Sequence, residues 1–148
     1  MTHEELEEGR TLALDWGKLR AVTAGEEACL PVVVQDADSG AVLILAYANE
    51  WALAETLRRR VAVLWSTSRG ELWVKGASSG NVLELVEVRV NCEQNSLLYR
   101  VRVAPGQGAC HTRGASGTAR FGCYYRVLEP GGELRLAADE GRPAPAAD

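Results

Sequence analysis

The stretch VLELVEVRVNCEQNSLLYRVRV, residues 82–103, decides the architecture. Two apolar, β-branched runs flank a polar centre, NCEQN at 91–95. Val86, Val88, Val90 and Cys92 share one parity; Glu87, Arg89, Asn91 and Glu93 share the other. Residues two apart lie on one face of a strand, so the pattern reads as β rather than helix. If the strand runs through the centre, Cys92 points with the valines and Asn91, Glu93 and Asn95 form a polar row on the opposite face.

The segments on either side extend the β reading. LPVVVQDADSGAVLILAY (30–47) is two β-branched runs around the turn-rich DADSG, which predicts a hairpin. Asn49 is placed to cap a helix over about 50–60, with Leu53 and Leu57 four apart on its inner face. VAVLWSTS and ELWVKG read as two strands around Arg69–Gly70, ASSGN (77–81) as a polar loop, and GCYYRVL (122–128) as a further strand. One clear helix against many strands gives an α+β fold with a mainly antiparallel β-sheet. The domain boundaries predicted are an acidic N-terminal segment over 1–14, an ordered body over 15–128 and a flexible Pro/Gly/Ala-rich C-terminal tail over 129–148.

A length of 148 residues fits one domain with a real core. The apolar fraction of 47% and charged fraction of 24% are those of an ordinary soluble protein. The net charge of −4 argues against a nucleic-acid partner. The one basic run, Arg58 to Arg60, falls at a helix end, where cations suit the dipole. No apolar run approaches the ~20 residues that span a bilayer, so no membrane partner is expected. MTHEELEEGR lacks the apolar core of a secretory signal, which predicts a cytoplasmic protein. In a reducing compartment the four cysteines are ligands or buried thiols rather than disulfides.

Three of those cysteines, Cys92, Cys110 and Cys123, lie in or just beyond the opening stretch, with His111, one of two histidines. Thiolates and an imidazole are donors a zinc site needs, and three protein ligands leave a position for water. The spacing is not that of a zinc finger, and the alternative for each cysteine is a buried free thiol. Cys29 reads as buried and inert, and His3 as solvated.

Several separate motifs carry a resemblance. DWGKL (15–19), VVVQDADSGAVLILAYAN (32–49), LWSTSRGELWVKGASSGN (64–81), NCEQNSLLYRV, GACHT and CYYR (123–126) occur in the order found in the phosphoribosyl-AMP cyclohydrolase family of histidine biosynthesis. The chain resembles that family over most of its body. The resemblance implies an intertwined homodimer whose zinc ligands are shared between subunits. It also implies a magnesium ion on an aspartate row, and hydrolysis of the adenine ring of phosphoribosyl-AMP between ring nitrogen 1 and carbon 6. By position the zinc ligands are Cys92, Cys110 and Cys123, and His111 is the catalytic residue. Zinc lowers the pKa of a bound water to about 7, and an imidazole of ordinary pKa ~6.5 suits proton transfer. The alternative for His111 is a structural role.

The substrate so implied carries two phosphates. Candidate anchors are Arg69, Lys75, Ser78, Ser79 and Asn81, whose polar, glycine-bearing loop brings backbone donors to an anion; a solvated hairpin is the alternative. Trp65 and Trp73 are core residues or a wall for a base.

Two departures stand out. The family's magnesium row reads DCDxD, whereas here it is NCEQN, so Asn91, Glu93 and Asn95 form a weakened second-metal site with one carboxylate. The family's CHTGxxSC separates its last two cysteines by six residues, whereas HTRGASGTARFG puts twelve between Cys110 and Cys123. A longer loop costs little entropy, but it changes the wall beside the metal and brings in Arg113 and Arg120. These departures leave open a paralogue acting on another phosphoribosyl purine, and a non-catalytic zinc-stabilised nucleotide-binding dimer.

Overall fold

Alternation along the strands lays down the frame. In the computed structural model, which describes residues 1–144, β1 (Leu30–Asp36) buries Val32, Val34 and Asp36 and turns the intervening residues outward. It pairs antiparallel with β2 (Val42–Ala48). The DADSG turn closes this hairpin: the Asp36 carboxylate accepts from the Ser39 amide (2.9 Å), and Gly40 takes a left-handed φ of 81°. On its other edge β1 pairs parallel with β6 (Leu97–Arg102), which pairs antiparallel with β5 (Glu84–Val90). The sheet order is therefore β2-β1-β6-β5. The expected α+β fold is present, with one parallel pair in a mainly antiparallel sheet.

Two hairpins accompany the sheet. β3 (Val63–Ser66) pairs with β4 (Glu71–Val74), and β7 (Arg126–Leu128) with β8 (Leu134–Leu136). The core lies between the sheet and a layer made of residues 50–59, β3 and β4, with Tyr99, Leu43, Leu64, Val32, Val34 and Val101 fully buried. Trp65 and Trp73 pack against this core while each keeps an exposed edge.

Helix α3 (Glu50–Arg59) starts where expected: the Asn49 side chain accepts from the Ala52 amide. Arg58 and Arg59 sit in its last turn, both paired with Glu55. Its inner face differs from the leucine pair expected. Ala52 and Thr56 are the buried residues, Leu53 is half-buried, and Leu57 is 51% exposed. Leu53 still packs against the core from the edge of that face. The buried Thr56 hydroxyl accepts from the Val63 amide (3.0 Å) and lies 2.9 Å from the carbonyls of Ala52 and Val63.

The terminal segments carry regular structure. Residues 1–14 contain a capped helix, α1 (His3–Glu8), whose Thr2 and Glu5 form a reciprocal capping box. A second short helix, α2 (Lys18–Thr23), follows. The segment read as a tail supplies β8, is bridged to the N-terminus at Thr11 and Glu133, and continues through a 3-10 turn at Ala138–Gly141. Its low apolar content hid this, because polar pairing rather than burial holds it. Residues 145–148 of that segment lie outside the described residues. No helix among the described residues is long and apolar enough to cross a membrane.

Thr56→Val leaves the buried Val63 amide without its acceptor. The expected loss is roughly 1–3 kcal/mol of unfolding free energy in denaturant titration, with the sheet spectrum unchanged.

Candidate functional site

The twelve-residue segment between Cys110 and Cys123 folds back on itself. Ala109 and Cys110 amides donate to the carbonyls of Phe121 and Arg120 (2.9 and 3.1 Å), the Arg120 amide donates to Thr112, and Arg113 bridges Ala119. A tight turn at 114–118 closes this ladder. Gly108 permits the close approach, because a Cβ there would sit 2.3 Å from the Arg120 carbonyl oxygen. The extra residues therefore lengthen a hairpin rather than separate the cysteines.

Cys123 is then fixed to the sheet. Pairing between β1 and β2 jumps from Val34–Ile44 to Gln35–Val42, a bulge that leaves Leu43 without a cross-strand partner. The Leu43 carbonyl accepts from the Cys123 amide at 2.7 Å. Gly122 lets the chain lie against this bulge, since a Cβ would meet the Leu43 Cα at 3.1 Å.

These constraints bring the Cys110 and Cys123 side chains close enough to influence each other's ionisation. The neighbouring thiol lowers that of Cys110 to about 5, helped by the Thr112 hydroxyl 3.0 Å from its sulfur. The Cys110 side chain, with burial, pushes the Cys123 thiol up. Lys75 is 6% exposed, with its ammonium 4.7 Å from the Trp73 ring centroid. Burial lowers its pKa, and the two nearby thiols oppose that shift. A thiol pair with one member disposed to ionise beside a buried cation is a donor set that suits a soft or borderline metal ion.

A cleft of about 170 Å³ gathers much of the predicted site. Lys75, Ser78, Ser79, Asn81, Cys110, His111 and Arg113 line it, with Trp73 as one wall. The 76–81 loop curls tightly there: Gly76 has φ 84°, and a Cβ would lie 2.0 Å from the Asn81 carbonyl oxygen. The Asn81 Oδ1 is buried without a hydrogen-bond partner among the described residues. Such an acceptor suits a hydroxyl or amino donor better than a phosphate oxygen.

Arg69 lies elsewhere. It occupies the β3–β4 turn, is exposed, and faces Ser66 and Glu71. Cys92 is also exposed and stands apart from the thiol pair: among the described residues no group of three or more His, Cys, Asp or Glu side chains is placed to hold a metal ion. Cys29 is half-buried, with its thiol pushed up by burial, and His3 is exposed on α1.

The polar row takes a different form from the one the parity predicted. β5 ends at Val90, and a turn with Gln94 at φ 55° follows, so Asn91, Glu93 and Asn95 are not on one strand face. Asn91 Oδ1 accepts from the amides of Asn95 and Ser96, both at 2.9 Å. Its amide nitrogen donates to Asn95 Oδ1 (2.6 Å), and Asn95 Nδ2 donates to Glu93 (3.3 Å). Both side-chain amide oxygens are thus engaged within the turn, and one carboxylate remains. The strand reading failed because Asn side chains compete for backbone donors and end strands.

The terminal segments contribute residues that sequence reasoning did not select. Glu7 Oε1 lies 2.6 Å from His111 Nε2. Glu8 forms a two-point ion pair with Arg120 (2.7 and 2.8 Å), and Glu140 pairs with the same guanidinium at 2.5 Å. Arg120, expected in the pocket wall, is 6% exposed, turned toward these carboxylates, and stacked 4.1 Å from the Tyr125 ring centroid. Arg113 does line the cleft, with its guanidinium on the Gly117 carbonyl. The Thr2–Glu5 capping pattern was available to mark α1, but nothing local signals its long-range partners.

Fold and cleft define the class: an α+β domain whose cleft is lined by the Cys110 thiol, the His111 imidazole and the buried Lys75 ammonium. The sequence profile of the phosphoribosyl-AMP cyclohydrolase family matches residues 44–125, more than half of the chain. A phosphoribosyl-AMP cyclohydrolase of Hyphomonas neptunium is 43% identical over 106 residues, covering 72% of this chain and 75% of its own. One from Archaeoglobus fulgidus is 44% identical over 110 residues, 74% of this chain and 94% of the relative. The Thermus thermophilus histidine biosynthesis bifunctional protein HisIE is 46% identical over 113 residues, 76% of this chain and 49% of that longer protein. The chain belongs to the phosphoribosyl-AMP cyclohydrolase family.

Arg120 holds the Glu8 and Glu140 carboxyls below the ordinary value of 4.5. A depressed carboxyl contributes stability above its unfolded pKa and loses it as pH falls through the folded one. Arg120→Met is expected to cost roughly 1–3 kcal/mol at neutral pH, reduced from a fully buried pair by the exposure of Glu8. The gap between variant and wild type should narrow below about pH 4.5 in pH-dependent thermal unfolding.

Proposed function

We propose that this chain hydrolyses the adenine ring of phosphoribosyl-AMP between ring nitrogen 1 and carbon 6, a step of histidine biosynthesis. The observation that carries this reading is the meeting, in one cleft, of Cys110 and His111 from the family's CHT motif with Lys75, Ser78 and Ser79 from the preceding loop. Zinc, held by Cys110, Cys123 and the Cys92 of a second copy, would supply Lewis acidity and a water of pKa about 7.

The chain's own residues do the rest. Ser78, Ser79 and the backbone amides of their loop bind a phosphate, while the Lys75 ammonium offsets thiolate charge. Asn81 Oδ1 accepts from a ribose hydroxyl or ring amino group. His111 takes the proton of the attacking water and returns it to ring nitrogen 1 as the bond to carbon 6 breaks, so the water oxygen ends on carbon 6. Trp73 walls the cleft.

The homodimer rests on two supports. Cys92 is exposed, away from the thiol pair it would complete. The sheet's outer face also presents Leu45, 46% exposed, beside Val33 and Leu98. Such a face suits a second copy. A cytoplasmic location accords with four free cysteines. We assign no magnesium to the Asn91–Asn95 turn, whose amide oxygens are already engaged. The same turn, with Arg113 in the cleft wall, favours as second reading a related phosphoribosyl purine.

Purified protein should bind about one zinc per subunit, and Cys110→Ser should lose both metal and phosphoribosyl-AMP turnover. Full turnover by metal-free protein contradicts the reading, and turnover only of another phosphoribosyl purine selects the second. Added magnesium should change the rate by less than about twofold. A steep magnesium requirement in steady-state assays would restore the second metal.

A further inference from the structure

We infer that Glu7 is a positioning residue for His111, fixing the tautomer and orientation of its imidazole from the N-terminal helix α1. The inference rests on the proposed role of His111 in proton transfer. His111 is 74% exposed on its side chain, so little packing restrains its ring. Its one hydrogen-bond partner among the described residues is Glu7, at 2.6 Å from Nε2. A carboxylate only accepts, so Nε2 carries the hydrogen and Nδ1 is left as the basic nitrogen of the neutral ring.

Glu7 is itself held on both sides. The Tyr125 hydroxyl donates to the Glu7 carbonyl (2.9 Å), Glu8 is clamped to buried Arg120, and Arg126 donates to the Gly9 carbonyl (3.0 Å). Three anchors over three consecutive residues are more than a loose terminal helix would make. They deliver one side chain to a residue 104 positions away. Glu7 also lies outside residues 44–125, the span the family profile matches. A carboxylate that orients an imidazole typically contributes about 10–100-fold to the function it supports.

The test pairs kinetics with the ring nitrogens themselves. The chain has two histidines, so 15N-histidine spectra of wild type and His3→Gln assign His111 directly. Spectra are taken at alkaline pH, so that the two neutral tautomers are compared. Wild type should show one Nε2–H tautomer and Glu7→Ala a mixture. Glu7→Ala should also lower kcat about 10- to 100-fold, with KM and zinc content held. Glu7→Gln should recover most of the rate, because its amide oxygen accepts the same bond. Glu4→Ala, at an exposed position of the same helix, should change nothing.

An unchanged His111 tautomer in Glu7→Ala overturns the inference, as does an unchanged kcat in an active enzyme. Loss of zinc in Glu7→Ala, or a Glu7→Gln variant as slow as Glu7→Ala, overturns it too. If wild type turns over no phosphoribosyl-AMP, the substrate reading fails instead, and the tautomer comparison still decides whether Glu7 fixes His111.

Discussion

The hydrogen bond from the Cys123 amide to the Leu43 carbonyl ties the chemistry to the fold. A bulge in β2 leaves Leu43 out of register with its neighbouring strand, and Cys123 takes up the carbonyl. The hairpin from Ala109 to Phe121 then returns Cys110 to the same place. Two glycines make this possible: Gly108, where a side chain would strike the Arg120 carbonyl, and Gly122, where it would crowd the bulge. The thiol pair is thus positioned by backbone pairing, the stiffest element available, rather than by side-chain packing at the surface.

That arrangement keeps the two cysteines together across the connection between them. The intervening residues form a ladder closed by a tight turn. Their tip carries Arg113 into the cleft wall, while Arg120 turns back to receive Glu8 and Glu140. One buried guanidinium therefore joins the N-terminal helix, the hairpin and the C-terminal segment. The Asn91–Asn95 turn shows the opposite kind of change. There, side-chain amides satisfy one another and the backbone, and the turn keeps its shape by hydrogen bonds alone.

Much of this was legible in the chain. Strand parity gave the β1–β2 hairpin and the β3–β4 pair, and Asn49 gave the start of α3. The CHT motif and the SRGELWVKGASSGN loop pointed to residues that share one cleft. Three things were not legible. The parity of Val86 to Cys92 continued past the point where Asn91 ends the strand, because local side-chain hydrogen bonds override periodicity. The inner face of α3 is centred on Ala52 and Thr56, because the Thr56 hydroxyl is bonded to the Val63 backbone, a partner that the sequence does not announce. The terminal segments carry few apolar residues, and they are held by ion pairs with Arg120 and by hydrogen bonds such as that between Glu7 and His111, which only the tertiary structure brings within reach.

The central claim is that Cys110 and Cys123 form half of a metal site and that a second copy completes it with Cys92. Mixing two inactive variants tests it. Cys92→Ser and Cys110→Ser dimers are unfolded together, refolded with zinc and assayed. In a two-fold dimer with shared ligands, each mixed dimer regains one intact site, so zinc content and turnover should return to about a quarter of wild type. If all three cysteines serve within one chain, no mixed dimer has an intact site, and a mixture as inactive as its parents would contradict the account.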